Sequence, residues 1–329
     1  MTGISGAEVV PRGRIDALDV ARGVALIAMA TYHFSWDLEF FGYLEPGTST
    51  TGPLKYYARS IAASFLFLVG IGIVLAHANG IRWRSFAKRW VKIAAAAALI
   101  TIATWFATRE TFVFFGILHH IAFASLAGLL FLGLPWWVLA VIAIAVFFGT
   151  PFLQSPIYTP LGFAWTGLSA TPPRSNDFVP VLPWFSAVLA GMAAAKLVFV
   201  GRTPPRVLTP EGWSATGVPS RLIALFGRWS LTFYLVHQPI LIGLVFLASL
   251  VFPAQPPGFS ASCTDACGAQ FGAEPCAVYC ACAEAELAAA GKLDDLLTEP
   301  ATAQSDLETS AIIAQCAFEA GTTGDGNNR

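Results

Sequence analysis

An apolar stretch near the N-terminus carries Asp19, Arg22, His33 and Asp37. Ionisable groups inside a membrane span are costly and mark sites or pathways. Arg22 and His33 are eleven residues apart, about three helical turns, so on a helix they share one face ~16 Å apart. Asp37 lies one turn beyond His33, where it can hold the imidazole and set its tautomer. Asp19 lies one turn before Arg22 and is spaced to pair with it. His33 with Asp37 suits general-base or nucleophilic chemistry, and Arg22 suits an anionic donor or an oxyanion. The competing reading is a set of paired polar residues that glue helices together.

Further polar residues are expected toward the far end of this face. Arg59, His119, His120 and Asp177 are the candidates for the acceptor side. Neighbouring histidines on a helix point ~100° apart, so at most one of His119 and His120 can face a given site. His237 precedes Gln238 and Pro239 and reads as a structural residue near a kink, and His77 as interfacial. Arg82, Arg84, Lys88, Arg89 and Lys92 form a basic group. It serves as a topology signal, and Arg84, Lys88 and Arg89 are also placed to hold the phosphates of a nucleotide-bearing donor.

The elements that must position these groups are membrane helices. Of 329 residues, 56% are hydrophobic and only 12% charged, about half the charge of a soluble domain. The net charge of −1 gives no field that argues for nucleic acid. Apolar runs of bilayer length recur at residues 18–40, 56–78, 88–107, 115–133, 135–153, 181–200 and 222–252. The first is not a cleavable leader, because it is long, carries charge and lacks a small-residue cleavage site. The expected fold is therefore an all-α polytopic bundle of about seven spans. Arg12 and Arg14, the basic group at 82–92, and Arg202, Arg206, Arg221 and Arg228 fall on alternate loops. The positive-inside bias puts the N-terminus in the cytoplasm and, after an odd number of spans, the C-terminus outside. Residues 203–219 read as a cytoplasmic linker.

All six cysteines, Cys263, Cys267, Cys276, Cys280, Cys282 and Cys316, lie after the last span. An even set confined there suits disulfides in an oxidising compartment; a zinc site and free thiols are the other readings. Cys263 with Cys267, and Cys276 with Cys280, each occupy one face of a short helix, and a turn at 268–275 would fold them into a hairpin. Stapling that hairpin joins Cys263 to Cys280 and Cys267 to Cys276, and leaves Cys282 for Cys316, one of fifteen possible pairings. The expected organisation is a cytoplasmic segment 1–15, a membrane domain 16–253 and a small Cys-rich helical tail 254–329 outside the membrane, its polar end frayed.

The stretch Asp16-Ala-Leu-Asp-Val-Ala-Arg-Gly-Val-Ala, followed by Tyr32-His33-Phe34, resembles the opening helix of the membrane acyltransferase superfamily, with its L-D-x-x-R-G-x-A motif and Arg-x10-His spacing. Ser64-Phe-Leu-Phe-Leu-Val-Gly-Ile-Gly and Arg84-Ser-Phe-Ala-Lys-Arg-Trp-Val-Lys-Ile are similar to its second helix and the entry to its third. Gly116-Ile-Leu-His-His-Ile-Ala, Trp184-Phe-Ser-Ala-Val-Leu-Ala-Gly and Gly227-Arg-Trp-Ser-Leu-Thr-Phe-Tyr-Leu-Val-His-Gln resemble the bacterial branch related to heparan-α-glucosaminide N-acetyltransferase. The likeness runs over roughly residues 14–250. It implies transfer of an acyl group, most simply acetyl from cytoplasmic acetyl-CoA, to a sugar amine or hydroxyl of a cell-envelope glycan on the outer face of an inner (plasma) membrane. It implies His33 as the catalytic residue, assisted by Arg22; no metal is expected. Related proteins carry ten or eleven spans and no Cys-rich tail. Two other functions fit the residues alone: a transporter or flippase using the Arg/His/Asp face, and a non-catalytic membrane partner that docks through the tail.

Overall fold

The computed structural model describes residues 13–200, 204–210, 212–254, 259–298 and 306–324. Arg12, Arg202 and the polar C-terminal end lie outside the described residues. Helices account for nearly all regular structure, and no strand forms among the described residues apart from an isolated bridge between Ser155 and Ser169. The chain divides into two compact units, Met1–Asp37 with Gly47–Leu247, and Leu38–Pro46 with Ala248–Arg329.

The first unit is built on α1 (Asp16–Phe40), α2 (Gly52–His77), α3 (Trp83–Ala107), α4 (Ile117–Leu130), α5 (Trp136–Leu153), the short α6 (Leu161–Ala164), α7 (Val181–Phe199), α8 (Val218–Arg228) and α9 (Ser230–Val251). Five of these, α2, α3, α5, α7 and α9, are long and apolar enough to cross a bilayer. They make the chain an integral membrane protein. Two of the seven expected spans fall short of that standard, each for its own reason. α1 has 25 residues, but with Asp19 and Arg22 near one end and His33, Asp37 and Glu39 near the other no stretch of it is as apolar as a span. α4 has 14 residues, about 21 Å of helix against a hydrocarbon core of about 30 Å. The expected span at 222–252 begins later, at Ser230. Its first turns form a separate helix, α8, which buries Ala224 and Gly227 and exposes Val218, Leu222 and Leu225. Arg221 and Arg228 make that segment amphipathic, the pattern of a helix lying at an interface. The linker before it is anchored, because the backbone N–H of Ala215 donates to Asp16 Oδ2 at 3.1 Å.

The core lies between α2, α4, α5 and α7, around Leu66, Ile73, Leu139, Val188, Leu189 and Met192. Small residues let these backbones touch, as tight helix pairs in membranes require. A Cβ on Gly70 would sit 2.0 Å from the Val188 carbonyl oxygen, and one on Gly191 would sit 2.0 Å from that of Phe67. The glycines thus face each other's helix reciprocally, and α2 and α7 form the axis of the bundle.

The second unit holds α10 (Phe259–Phe271), α11 (Ala273–Ala289), α12 (Leu293–Thr298) and α13 (Leu307–Gly324). Cys263 bonds to Cys280, Cys267 to Cys276 and Cys282 to Cys316, the pairing that the helical spacing led us to expect. The turn of the hairpin is tighter than expected: Gly272 alone separates α10 from α11, at a φ of +90° that favours glycine. Ala283, Leu287 and Cys316 form a small core with Phe259, Tyr279 and Ile312. Lys292 reaches Asp306 at 3.2 Å, which raises the lysine's proton affinity and lowers that of the carboxylate.

Candidate active site

Because α1 is one unbroken helix, Arg22 and His33 keep the face that their spacing implies. At its first turns Asp19 is nearly fully buried. Its carboxylate takes Arg22 Nη1 at 3.2 Å, the Nε of Arg14, and Arg228 Nε at 3.9 Å. Arg228 also reaches Asp16 at 3.5 Å. The approach of α8 depends on Gly227, where a Cβ would fall 1.8 Å from the Asp19 carbonyl oxygen. Arg14, Arg22, Arg89, Lys92 and Arg228 line a cavity of about 380 Å³, with Asp19 as its acid. The excess of cations suits an anionic group. Of the expected phosphate-binding residues, only Arg89 reaches this cavity; Arg84 and Lys88 lie on the exposed surface of the same helix.

A second cavity, of about 510 Å³, holds His33 together with Lys55, Arg59, Asn176, Asp177 and Tyr234. Of the four expected acceptor-side residues, Arg59 and Asp177 therefore come together around His33. Phe65, Ile117 and Tyr234 line this cavity and the basic one alike. The two spaces are back to back, with those three side chains as the shared wall. A third, larger space of about 850 Å³ is almost wholly apolar, lined by residues such as Val24, Ala143, Phe147 and Phe148, and holds no catalytic group.

His119 and His120 line neither of the two polar cavities. His119 accepts the Gly116 N–H on Nδ1 at 3.2 Å and meets Thr101 through Nε2 at 3.1 Å, which caps α4. His120 is fully buried, with Nδ1 3.2 Å from the carbonyl oxygens of Val179 and Pro180. His120 thereby holds the end of the loop that presents Asp177, while His119 holds the N-terminus of α4, where Ile117 meets that carboxylate. That carboxylate accepts the backbone N–H of Ile117 at 2.9 Å and the hydroxyl of Tyr234 at 3.2 Å, both on Oδ2. Gly116 makes room for it, since a Cβ there would lie 2.3 Å from Oδ2. Burial pushes the Asp177 carboxyl above its usual range, opposed by the two hydrogen bonds.

His33 meets His237 edge to face, ring centroids 5.1 Å apart, and no hydrogen bond to its ring forms among the described residues. Its nitrogens are left for a ligand in the cavity. Asp37 does not hold this ring as its spacing suggested. It accepts the side-chain N–H of Gln238 at 2.6 Å instead, because α9 packs beside that turn of α1. His237 is tied locally, Nδ1 to the Tyr234 carbonyl oxygen at 2.7 Å.

The sequence reading missed Tyr234 and Lys55. Tyr234 sits one turn before His237, and that spacing to a named histidine was the available signal. Lys55 lies one turn before Arg59 on α2, within the same cavity. An imidazole whose nitrogens make no hydrogen bond among the described residues, a buried carboxylate and two cations can bind a polar acceptor and serve its deprotonation. The cationic space behind the shared wall can hold an anionic partner.

The model of the family described as heparan-alpha-glucosaminide N-acetyltransferase, catalytic, matches residues 14–239. No curated protein and no solved structure matches the chain. The match takes in every residue of both polar cavities and covers well over half of the sequence, so the chain belongs to the heparan-alpha-glucosaminide N-acetyltransferase catalytic family.

Proposed function

We propose that this chain transfers an acetyl group through a membrane, from acetyl-CoA on the cytoplasmic face to an amine or hydroxyl of a sugar on the outer face. The observation that carries this reading is the pair of cavities sharing Phe65, Ile117 and Tyr234, cationic on one side and lined by His33 and Asp177 on the other. Family membership supports the acetyltransferase chemistry. The orientation follows from loop charge: Arg14 and the basic group at 82–92 mark the cytoplasmic ends. With α1 and the whole apolar run 115–133 around α4 taken as crossings beside the five longer helices, the reading has seven. The Cys-rich tail then lies outside an inner (plasma) membrane, where disulfides persist.

In this reading the phosphates of acetyl-CoA rest against Arg22, Arg89 and Lys92, with Arg84 and Lys88 drawing the nucleotide in, and the thioester is presented at the shared wall. Lys55, Arg59 and Asp177 orient the acceptor. His33 removes the proton as the acceptor nitrogen or oxygen attacks the thioester carbonyl. The C–S bond breaks, the acetyl group ends on the acceptor, and the proton taken by His33 passes to the sulfur, which leaves as coenzyme A thiol. General-base assistance of this kind is worth about 10²–10⁴-fold.

The test uses the full chain in proteoliposomes, labelled acetyl-CoA and a panel of amino sugars and envelope glycans. We expect acetylated sugar from the wild type and a loss of at least 10²-fold in His33→Ala. A folded His33→Ala protein that transfers acetyl at the wild-type rate would refute the role of His33. Sugar flux without acetyl-CoA would replace the reading with transport.

A further inference from the structure

Asp37 lies with none of its surface exposed in the bundle. Gln238 Nε2 donates to its Oδ1 at 2.6 Å. The other two atoms of this pair, Asp37 Oδ2 and Gln238 Oε1, are buried with no donor among the described residues. No lysine or arginine pairs with Asp37 among the described residues either. The titratable groups nearest in register are His33, one turn back on α1, and His237, next to Gln238 on α9.

A carboxylate in this position would be a buried charge with no counter-ion, beside two buried acceptors with no donor. Each of those conditions is expensive in a membrane interior. A single proton on Oδ2 removes all of them, because it turns one acceptor into a donor and gives Gln238 Oε1 its partner. We propose that Asp37 is an un-ionised carboxylic acid in the folded protein, and that it forms a two-way lock with the Gln238 carboxamide. The lock joins α1 to α9 one turn beyond His33 and sets where the His237 ring meets the His33 ring, 5.1 Å away. Asp37 is thus a positioning residue that works through α9, and the inference stands apart from the identity of the acyl acceptor.

Infrared difference spectroscopy on the full chain in proteoliposomes at neutral pH tests this, with isotope-labelled aspartate and Asp37→Asn as the reference. The expected result is loss of the C=O stretch of a hydrogen-bonded carboxylic acid. Loss of carboxylate stretches instead would overturn the proposal. Gln238→Leu removes the partner but keeps the acid, so the same band should move to the position of a free acid; an unmoved band would also overturn it. This arm serves if Asp37→Asn fails to fold. A folded Asp37→Asn retains one donor and one acceptor and should melt close to wild type, whereas Asp37→Ala should melt several degrees lower. Equal losses in the two variants would count against the lock.

Discussion

The Tyr234 hydroxyl donates to Asp177 Oδ2 across 3.2 Å, tying α9 to the loop before α7 at the wall shared by the two polar cavities. Removing the hydroxyl with Tyr234→Phe leaves that oxygen with the Ile117 N–H as its remaining donor. A buried polar group stripped of a partner costs about 1–3 kcal/mol, equivalent to roughly 5- to 150-fold in rate. We expect a fall of that size in kcat/KM for the acceptor at saturating acetyl-CoA, measured with labelled donor.

The same carboxylate sets a pH dependence. Burial raises its proton affinity above the usual value, and in our reading the ionised form orients the acceptor. Transfer should therefore fall as pH drops through a value higher than that of an ordinary aspartate. Tyr234→Phe removes a bond that favours the ionised form, so its limb should move to still higher pH. Asp177→Asn should lower the rate and leave only the acid limb that protonation of the His33 base sets. The linkage sign is opposite to that of a salt-bridged aspartate. The folded state holds this proton more tightly than the unfolded chain, so the contribution to stability declines as pH rises from the unfolded to the folded value. Unfolding at a series of pH values in the wild type and Asp177→Asn checks this.

The helix axis of α2 and α7 gives a packing prediction. A Cβ at Gly191 would meet the Phe67 carbonyl oxygen at 2.0 Å, and a backbone atom cannot move aside as a side chain can. Gly191→Ala should destabilise the bundle by about 1–3 kcal/mol, the usual cost of overpacking. Thermal unfolding in detergent measures it. Gly149→Ala is the control, because a Cβ there meets nothing within 4 Å.

In the second unit, Cys282 and Cys316 close a loop with a sequence separation of 34. Replacing both with serine should remove about 3–4 kcal/mol on a loop-entropy account. α13 should then become the first segment cut in limited proteolysis, while α10 and α11 stay joined by their own two bonds. Non-reducing electrophoresis of the digest distinguishes the fragments.

Much of this protein is local and therefore readable along the chain. Hydropathy over about twenty residues is a property of one segment, and it marked out seven spans, of which α2, α3, α5, α7 and α9 are long and apolar enough to cross a bilayer. It overstated the last of them, because Arg221 and Arg228 turn its first part into the amphipathic α8. The register of a single helix is equally local: eleven residues put Arg22 and His33 on one face, and intervals of four placed the cysteines for the bonds they make.

What residues on different helices meet is not local. Asp37 lies one turn from His33, yet its hydrogen bond goes to Gln238, 201 positions away. His119 and His120 look like site residues, yet His119 caps α4 and His120 holds the end of the loop before α7. Tyr234 reaches Asp177 across 57 positions. The sequence by itself determined an α-helical membrane protein with a disulfide-bonded tail and one polar helix face. Only the tertiary structure decided which side chains share a cavity with that face, because such contacts depend on the rotation and spacing of packed helices, and those are settled by glycine approaches and core shapes that no single segment encodes.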